Sequence, residues 1–574
     1  MPVPLDHEFV RAVAAAADLA AVPLAAGAEE KPVGVTHRAL ARRVKTLVAA
    51  YRSPQSALHG SGQALTAAMN HLGALRTAQT ATGLFAGGDN VQSPPDSAFT
   101  VNDVCDAHVL AAGAGPALRG VAAALAEIAG AASEGLRTGG VHTPNHRWEL
   151  CAALARLHRS FPDGRLLDRV EAWLAEGVDI DAEGLYSERS ATYAAHVSNP
   201  SLLLLADVLG RTDLWDAVER NLTTTLDLIR PDGTVETVHS RRQDQNGPFP
   251  LAPYLPHYRL LAIRTGRGDF GRAARRAAAG GIGDPGLLAE TVLTPDLCRV
   301  LPAPAPEPVA RDRYIGTARL ASRTSATAHT VLYGGSDVPG QRRIRSGLAC
   351  NPTFLRLFAG AAVLDAVRLS RGFFDLGPFR AAHMRQLADN RYRLTETLTA
   401  AYYQPLPPDS RRHDGAYGMA DEGRFSAAMD FQDRPRNEIS QTTRIEADLR
   451  EDGADLRIGI SGPRVPWALE LTFRPGGVPE GAAPTGDGRW CLTTGPMTYR
   501  AGDDEIRVEV DVEAGEPLAG PDRSDVLRYH PGQDYTVAGG TDATTGNRVH
   551  IGGHGPHTLT VALRARRPSP VVRP

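Results

Sequence analysis

Residues 143–149, TPNHRWE, combine an amide, an imidazole and a carboxyl group at the start of a predicted helix. Thr143 can cap that helix, and Pro144 suits its first position, where the missing N–H costs nothing. His146 and Glu149 are three residues apart, so their side chains share one face of the helix. Side chains of these types can bind a carboxylate and exchange protons with a substrate. The stretch is therefore a candidate for acid–base chemistry.

Residues 184–193, GLYSERSATY, follow later in the chain and contain two tyrosines, a glutamate and two serines. A tyrosine can act as a general acid, and as a base when a neighbouring cation lowers its pKa. Arg189 and Arg241 are the cations that we consider for this purpose. Taken singly, each residue fits two ordinary capped helices with one buried histidine. The combination of the two stretches, in this order, favours a catalytic function.

The two stretches together resemble the heparinase II/III-like polysaccharide lyases. That family has an Asn-His pair at a helix start and, several tens of residues later, a Gly-x-aromatic-x-Glu-x-Ser-x-x-Tyr segment. The matching residues of this chain are Asn145, His146, Gly184, Tyr186, Glu188, Ser190 and Tyr193. The resemblance implies an α/α toroid followed by a β-sandwich, in an enzyme that cleaves uronic-acid glycans by β-elimination. It also implies that Tyr186 and Glu188 belong to the substrate-binding residues.

β-Elimination removes the proton at C5 of a uronate, next to a carboxylate that resists further negative charge, and leaves a 4,5-unsaturated uronate end. The enzyme must neutralise or hydrogen-bond the carboxylate so that the enolate-like intermediate can form. The resemblance implies that Tyr193 is the general acid, and also the base if both steps use one face of the sugar. It assigns Asn145 and His146 to the carboxylate, with His146 as the alternative base. Glu149 would then orient His146.

Residues 231–246 form a third polar stretch, which begins with the turn signal Pro-Asp-Gly. It contains His239, Arg241 and Arg242. Guanidinium groups bind carboxylates through two parallel hydrogen bonds, so two adjacent arginines beside a histidine suit a uronate. We expect His239 and Arg241 to complete the carboxylate site, or His239 to serve as the base. A solvated basic loop is the alternative interpretation.

Residues 87–103, GGDNVQSPPDSAFTVND, are predicted to form a long polar loop within the helical part of the chain. Loops of this length are often functional in compact domains. Gln92 and Asp96 offer groups that bind sugars, and we expect them to contact the substrate. The alternative is a surface loop that ends in a helix cap.

The β part of the chain departs from the family pattern. Members usually carry a His-x-His-x-Asp-like stretch on an early strand, just before a Ser-Phe pair. The comparable stretch is residues 346–354, SGLACNPTF, which has neither histidine nor aspartate. The sequence therefore does not support a catalytic histidine or a structural zinc site there, and we expect neither a metal nor another cofactor.

The organisation of the chain is predicted from its apolar periodicity. Residues 1–300 show eleven helical segments without strand-like alternation. Residues 301–312 are rich in proline and alanine and form a linker. Residues 313–574 alternate apolar and polar side chains, with a hairpin signal at Asp452-Gly453. The predicted fold class is a multidomain α+β protein, in which a complete or incomplete α/α toroid precedes an antiparallel β-sandwich.

Composition limits the classes of molecule that the protein is expected to bind and the compartment in which it is expected to act. The 574 residues carry a formal net charge of −3, which argues against general binding of nucleic acid. The five cysteines form no CxxC pair, so no disulfide scaffold is expected. We expect no membrane span, and the N-terminus lacks a convincing signal peptide. The sequence thus predicts a cytoplasmic protein, or a secreted one whose leader has been removed, that acts on an anionic polysaccharide or oligosaccharide.

Two other functions fit parts of the sequence. A glycoside hydrolase on an α/α toroid needs two carboxylates that flank the scissile bond. Its candidate residues are Asp89, Asp96, Asp103, Glu188 and Asp244. A catalytically silent carbohydrate-binding protein would explain the missing histidine of the β part. The sequence leaves open the polymer, the choice between endolytic and exolytic cleavage, and the identity of the base.

Overall fold

The computed structural model describes residues 4–28, 30, 32–87, 90–341, 347–486, 488–520 and 545–567. The chain folds into two compact units. The helical unit comprises Met1–Ile229 and Pro250–Glu307, and the β unit comprises Arg230–Phe249 and Pro308–Pro574. The predicted α+β class is confirmed.

Helices follow one another through the helical unit with mostly short connections. In chain order they are α1 (His7–Ala26), α2 (His37–Arg52), α3 (Gly62–Ala78), α4 (Pro94–Ala111), α5 (Arg119–Thr138), α6 (Pro144–Ser160), α7 (Gly164–Leu174), α8 (Ala191–Tyr193), α9 (Asn199–Leu209), α10 (Thr212–Leu228), α11 (Leu255–Thr265), α12 (Gly268–Ala278) and α13 (Leu287–Leu293). A π turn, Ala194–Ser198, joins α8 to α9. Short 3₁₀ turns occur at Pro116–Leu118, Ala252–Tyr254 and Pro295–Cys298.

Inner and outer helices alternate around the helical unit. α2 packs on α4, α4 on α6, and α6 on α9, while α3, α5, α7 and α10 each pack on one of these helices. α13 packs on α1, α2 and α4, so the end of the unit meets its beginning. This alternation is the arrangement of an α/α toroid. Buried polar side chains, among them Asn102, Asn145 and Glu149, lie on the inner helices α4 and α6.

Helix α1 differs from the sequence expectation, because its length and composition alone would allow it to cross a membrane. A signal sequence and the core helix of a folded unit pass the same test. Residues at helical spacing are buried along one face of α1, namely Phe9, Val13, Ala17, Ala21 and Ala25. Asp6 caps the helix and also accepts a hydrogen bond from Arg259 at 2.8 Å. In the structure α1 therefore packs as an amphipathic core helix.

Helix α4 begins earlier than expected and takes up half of the predicted loop 87–103. Ser93 Oγ accepts a hydrogen bond from the backbone N–H of Asp96 at 3.1 Å, and the two prolines after Ser93 occupy the first helical positions. The Ser-Pro-Pro-Asp sequence is thus a helix start and not a stiffened loop. Asn102 consequently lies inside a helix, and Asp89 lies outside the described residues.

Residues Arg230–Phe249 belong to the β unit, although the sequence placed them within the helical domain of residues 1–300. Ion pairs and hydrogen bonds to other parts of the β unit hold this segment, and no apolar periodicity signals such contacts. The later change from the helical to the β unit falls after Glu307, inside the predicted linker 301–312.

Strands make up most of the β unit. In chain order the strands of the molecule are β1 (Thr234–Val235), β2 (Phe249–Pro250), β3 (Arg311–Ile315), β4 (Leu320–Thr324), β5 (His329–Tyr333), β6 (Leu355–Ala359), β7 (Ala362–Arg371), β8 (His383–Ala388), β9 (Arg391–Tyr403), β10 (Ala420–Asp421), β11 (Ser426–Ala427), β12 (Arg436–Arg450), β13 (Gly453–Ser461), β14 (Pro466–Phe473), β15 (Val478–Glu480), β16 (Ala483–Gly486), β17 (Arg489–Cys491), β18 (Met497–Ala501), β19 (Asp504–Ala514), β20 (Asn547–His554) and β21 (His557–Arg566). A short helix, Val338–Gln341, and 3₁₀ turns at Gln243–Asn246 and Pro408–Ser410 also occur in the described part of the unit.

Two sheets form the sandwich. The eight-stranded sheet has the order β15-β18-β19-β21-β13-β12-β9-β8, and the nine-stranded sheet has the order β16-β17-β20-β14-β7-β6-β5-β4-β3. Neighbouring strands are antiparallel, except that β17 pairs with β20 in parallel. Apolar side chains of both sheets share one core, for example Leu369 and Leu469 from one sheet and Ile445 and Leu563 from the other. β12 and β13 form the predicted hairpin, in which Arg450 pairs with Gly453.

Candidate active site

Glu188 joins the two stretches that the sequence analysis singled out. Its Oε2 atom accepts hydrogen bonds from the backbone N–H of Asn145 at 3.2 Å and from the Asn145 side-chain amide at 2.7 Å. A carboxylate at a helix N-terminus satisfies an unpaired N–H and is favoured by the helix dipole. The Asn145 amide also donates to Thr143 Oγ1 at 3.2 Å, and the Thr143 side chain makes no capping bond of the predicted kind. Glu188 caps α6 in its place.

The side-chain oxygen of Asn145 is the part of this amide that is left for another molecule. The amide nitrogen is held by Glu188 and Thr143. The oxygen is buried and has no hydrogen-bond partner among the residues that the structure describes. An unpaired buried acceptor costs about 1–3 kcal/mol, so a donor that reaches it would be bound favourably.

Unusual backbone conformations flank Tyr193 on both sides. Tyr193 ends the one-turn helix α8, and its backbone N–H donates to Ser190 Oγ at 3.1 Å. Arg189 has a φ of +50°, a left-handed conformation that residues with a Cβ atom seldom adopt. The π turn Ala194–Ser198 follows directly, and π turns within helices are often found at functional sites. These features surround Tyr193, whose side chain is half-buried.

The turn that leads into this segment needs glycine at position 184. Gly184 has a φ of +86°, and a Cβ atom there would lie 2.6 Å from both Arg220 O and Thr224 Oγ1. Tyr186, two residues on, donates its hydroxyl hydrogen to Asn199 Oδ1 at 2.8 Å. Burial raises the pKa of Tyr186 well above its usual value. Tyr186 is thus fixed inside the helical unit, and its predicted contact with substrate stays a prediction.

His146 lies in the first turn of α6 and is buried. Its ring meets that of His142 edge to face, with the ring centroids 4.7 Å apart. In the next turn of α6, Trp148 Nε1 donates to Asp179 Oδ1 at 2.9 Å, and Asp179 also accepts a hydrogen bond from the Ser187 hydroxyl. The second stretch is therefore tied to α6 at a second point.

Glu149 bonds to Asn102 of α4, and its predicted role in orienting His146 stays a prediction. Its Oε1 atom accepts a hydrogen bond from Asn102 Nδ2 at 2.6 Å, and Asn102 Oδ1 in turn accepts one from Arg156 at 3.1 Å. Burial raises the pKa of the Glu149 carboxyl group to about 7. The contact between Glu149 and Asn102 was not predicted, because no spacing links these two residues in the sequence. The sequence signal for a buried role of Asn102 was its position as a polar residue within an apolar helical segment.

The raised pKa of Glu149 predicts a pH-dependent stability. The folded protein holds a proton on this group between pH 4.5 and about 7, where the unfolded chain has released it. Its contribution is therefore fully present below pH 4.5 and is lost as the pH rises through 7. We expect Glu149→Gln to match the wild type at pH 4 and to be more stable at pH 8, by up to about 3 kcal/mol. Urea unfolding followed by circular dichroism at both pH values measures this difference. Equal stability of the two proteins at pH 8 would show that the group titrates normally.

A buried carboxylate anchors the segment Arg230–Phe249 within the β unit. Glu236 Oε1 accepts hydrogen bonds from Arg356 at 2.5 Å and from the backbone N–H of Val238 at 2.8 Å. Burial alone would raise the pKa of Glu236, but the guanidinium groups of Arg356 and Arg230 bring it down to about 2. Glu236 is thus ionised at neutral pH and fixes the backbone that leads to the third polar stretch.

His239 follows this anchor and is also buried. The Arg241 guanidinium group makes two hydrogen bonds to Asp337, at 2.8 and 2.9 Å. Arg241 thus binds a carboxylate of the protein itself, and its predicted contact with a substrate carboxylate stays a prediction. The backbone N–H of Arg242 donates to Ser240 Oγ at 3.1 Å. The roles predicted for His239 and Arg242 stay predictions.

Gln245 clamps the end of the same segment onto residues 346–354. Its side-chain oxygen accepts hydrogen bonds from the backbone N–H groups of Cys350 at 2.9 Å and Asn351 at 3.0 Å. The stretch that lacks the family's histidine and aspartate therefore holds the preceding polar segment in place. Ser346 lies outside the described residues. No sequence pattern signals this clamp, because its acceptor is a single glutamine and its donors are backbone groups.

The residues expected to bind sugar in the first loop have different surroundings. Gln92 is exposed and has a φ of +46°. Asp96 is buried, forms an ion pair with Arg38 and accepts a hydrogen bond from Asn90 at 3.0 Å. Gln92 is therefore accessible, whereas Asp96 is engaged in contacts within the helical unit. Within the described residues, no group of three or more His, Cys, Asp or Glu side chains is placed to hold a metal ion.

The fold is similar to that of solved polysaccharide lyases. A heparinase III with methylated lysines is 9% identical, with a TM-score of 0.52 over 93% of this chain and 77% of that chain. A mutant heparan sulfate lyase from Pedobacter heparinus is 12% identical, with a TM-score of 0.50 over 94% and 79% of the two chains. A xanthan lyase from Paenibacillus is 11% identical, with a TM-score of 0.53 over 96% of this chain and 56% of that one. No protein-family model and no curated protein matches the sequence. The resemblance found in the sequence is thus confirmed at the level of fold: the chain has the polysaccharide lyase fold, an α/α toroid with a β-sandwich.

Proposed function

We propose that this protein is a polysaccharide lyase that cleaves a uronic-acid glycan by β-elimination. The observation that supports this most directly is the pair of hydrogen bonds from Asn145 to Glu188, which brings the two candidate stretches together. The fold supports the same function, because the solved structures that share it are named as lyases of heparan sulfate and xanthan. Low sequence identity leaves the substrate to be identified by experiment.

In the proposed reaction Asn145 and His146 bind the uronate carboxyl group. A protonated carboxyl group can donate to the unpaired oxygen of Asn145, and a neutral carboxyl group makes the C5 proton more acidic. Tyr193, or His146 as the alternative base, takes the C5 proton, and the bond from C4 to the leaving oxygen breaks. Tyr193 gives a proton to that oxygen as general acid. Glu188 is a positioning residue, since its carboxylate binds both the backbone N–H and the side-chain amide of Asn145.

A glycoside hydrolase is less well supported by the positions of the carboxylates. Inverting or retaining hydrolysis needs two carboxyl groups that face the scissile bond. Among the candidates, Asp96 pairs with Arg38, Asp103 with Lys45, and Glu188 holds Asn145. Each of these three carboxylates is therefore engaged in contacts inside the helical unit.

The test is ultraviolet absorbance during incubation of the purified protein with alginate, glucuronan, heparan sulfate, chondroitin, hyaluronan and xanthan, and with oligosaccharides of each. We expect absorbance to rise with one or more of them, because each elimination creates a conjugated 4,5-unsaturated uronate. Release of reducing ends without this absorbance would identify a hydrolase instead. Binding without either product would identify a carbohydrate-binding protein and overturn the proposal.

A further inference from the structure

The outer face of the eight-stranded sheet carries a notch centred on Gly459, apart from the residues discussed above. Its walls include Thr442, Arg444, Ser461 and Thr558, and it encloses about 200 Å³. Clefts that enclose drug-sized ligands measure roughly 300–1,000 Å³, so this notch suits a single sugar unit.

Strand register creates the notch. Gly459 of β13 pairs with Arg444 of β12 on one side and with Thr558 of β21 on the other. Side chains that are directly opposite in neighbouring strands stand roughly 4.5–5.5 Å apart on the same face. Because glycine has no side chain, the position between Arg444 and Thr558 is empty. Ser461, two residues along β13, faces the same way and borders the empty position.

The charges around the notch leave one cation uncompensated. Arg457 pairs with Glu513 at 2.8 Å, and Glu446 pairs with Arg393 at 2.7 Å. Arg444 is exposed and forms no ion pair with any residue in the described part of the chain. A guanidinium group in this state can bind a carboxylate or a sulfate through two parallel hydrogen bonds.

Hydroxyl groups line the rest of the notch. The hydroxyls of Thr442 and Thr397 are hydrogen-bonded at 2.9 Å, and the Ser461 hydroxyl donates to Thr442 O at 3.4 Å. Such groups can exchange hydrogen bonds with sugar hydroxyls without a large cost, because they already face water. We propose that the notch binds one acidic sugar unit of a polysaccharide, with its anionic group on Arg444 and its hydroxyls on Thr442, Ser461 and Thr558.

Two variants test this site by different means. Gly459→Val fills the notch, and the first atom of the new side chain meets nothing nearer than Arg444 O at 3.9 Å and Thr558 Oγ1 at 4.0 Å. Arg444→Gln removes the free cation and leaves the notch open. Arg436→Gln is the matched control, since Arg436 lies on the same strand, pairs with Glu438 at 2.7 Å and stands roughly 27 Å from Arg444 at about 3.4 Å per residue. Thermal melting verifies that each variant is folded.

Native gel electrophoresis through gels that contain a dissolved polymer measures binding by the full chain. The parent protein and all three variants carry Tyr193→Phe, so that cleavage does not remove the polymer. Alginate presents carboxylates, dextran sulfate presents sulfates, and dextran presents neither. We expect alginate, dextran sulfate or both to retard the parent and Arg436→Gln equally. Gly459→Val and Arg444→Gln should need about three- to tenfold more polymer for the same retardation. Equal retardation of all four proteins, no retardation by either acidic polymer, or equal retardation by dextran would overturn the proposal.

Discussion

Tyr193→Phe is expected to lower kcat for uronate cleavage by a factor of about 10²–10⁴, with little change in KM. The substitution keeps the ring and removes only the hydroxyl group that is proposed to protonate the leaving oxygen. Backbone geometry around residue 193 is set by the Ser190 cap and the π turn Ala194–Ser198, neither of which uses this hydroxyl group. The initial rate of absorbance increase, on whichever uronate polymer is cleaved, measures the effect.

Tyr186→Phe is the matched control for this experiment. The same atom is removed from a tyrosine of the same segment, but the hydroxyl of Tyr186 is buried and donates to Asn199. Its loss should cost about 1 kcal/mol of stability and leave kcat within about threefold of the wild type. If Tyr193→Phe kept the wild-type rate, or if both variants lost activity equally, Tyr193 would not be the general acid.

The sequence predicted those features of the fold that depend on local pattern. The alternation of apolar residues predicted β12 and β13, and the Asp452-Gly453 pair predicted a hairpin between them. The register, with Arg450 opposite Gly453, comes from the structure. The Asn-His pair and the tyrosine segment could be matched to the family pattern by motif alone. Their direct contact through Glu188 was not predicted, because no spacing in the sequence links Asn145 to Glu188.

Contacts between distant polar residues were not predictable in this way. Glu236 binds Arg356 across 120 positions of the chain, and Gln245 binds Asn351 across 106. No periodicity or fixed spacing in the sequence marks either pair, because the two partners meet only in the folded chain. The placement of Arg230–Phe249 in the β unit depends on such pairs, which is why composition and apolar pattern alone did not separate this segment from the helical domain.

Glu470→Gln is expected to destabilise the β unit by about 3–5 kcal/mol, because it leaves the buried charge of Arg368 without its carboxylate. Glu470 and Arg368 are each 1% exposed, and Arg368 Nε donates to Glu470 Oε1 at 3.0 Å. His550 Nε2 lies 3.1 Å from the other carboxylate oxygen. Burial alone would raise the pKa of Glu470, but Arg368 and His550 bring it down to about 2.

The pH dependence of this effect has a defined sign. A carboxyl group with a lowered pKa stabilises the fold above its unfolded pKa of 4.5 and loses that contribution as the pH falls through about 2. The difference between Glu470→Gln and the wild type should therefore be full at pH 7 and shrink below pH 4.5. Urea unfolding followed by tryptophan fluorescence measures it. Glu438→Gln is the matched control on the exposed end of β12, where loss of the pair with Arg436 should cost less than about 1 kcal/mol.

A double variant separates the cost of an uncompensated charge from the cost of lost packing. Glu470→Leu combined with Arg368→Met removes both charges and keeps apolar volume at this buried position of the nine-stranded sheet. Since no buried charge then lacks its counter-ion, the double variant should be more stable than Glu470→Gln alone, a non-additive result. Equal or lower stability of the double variant would show that the hydrogen-bonding geometry of this pair, and not charge compensation, holds the two strands β7 and β14 together.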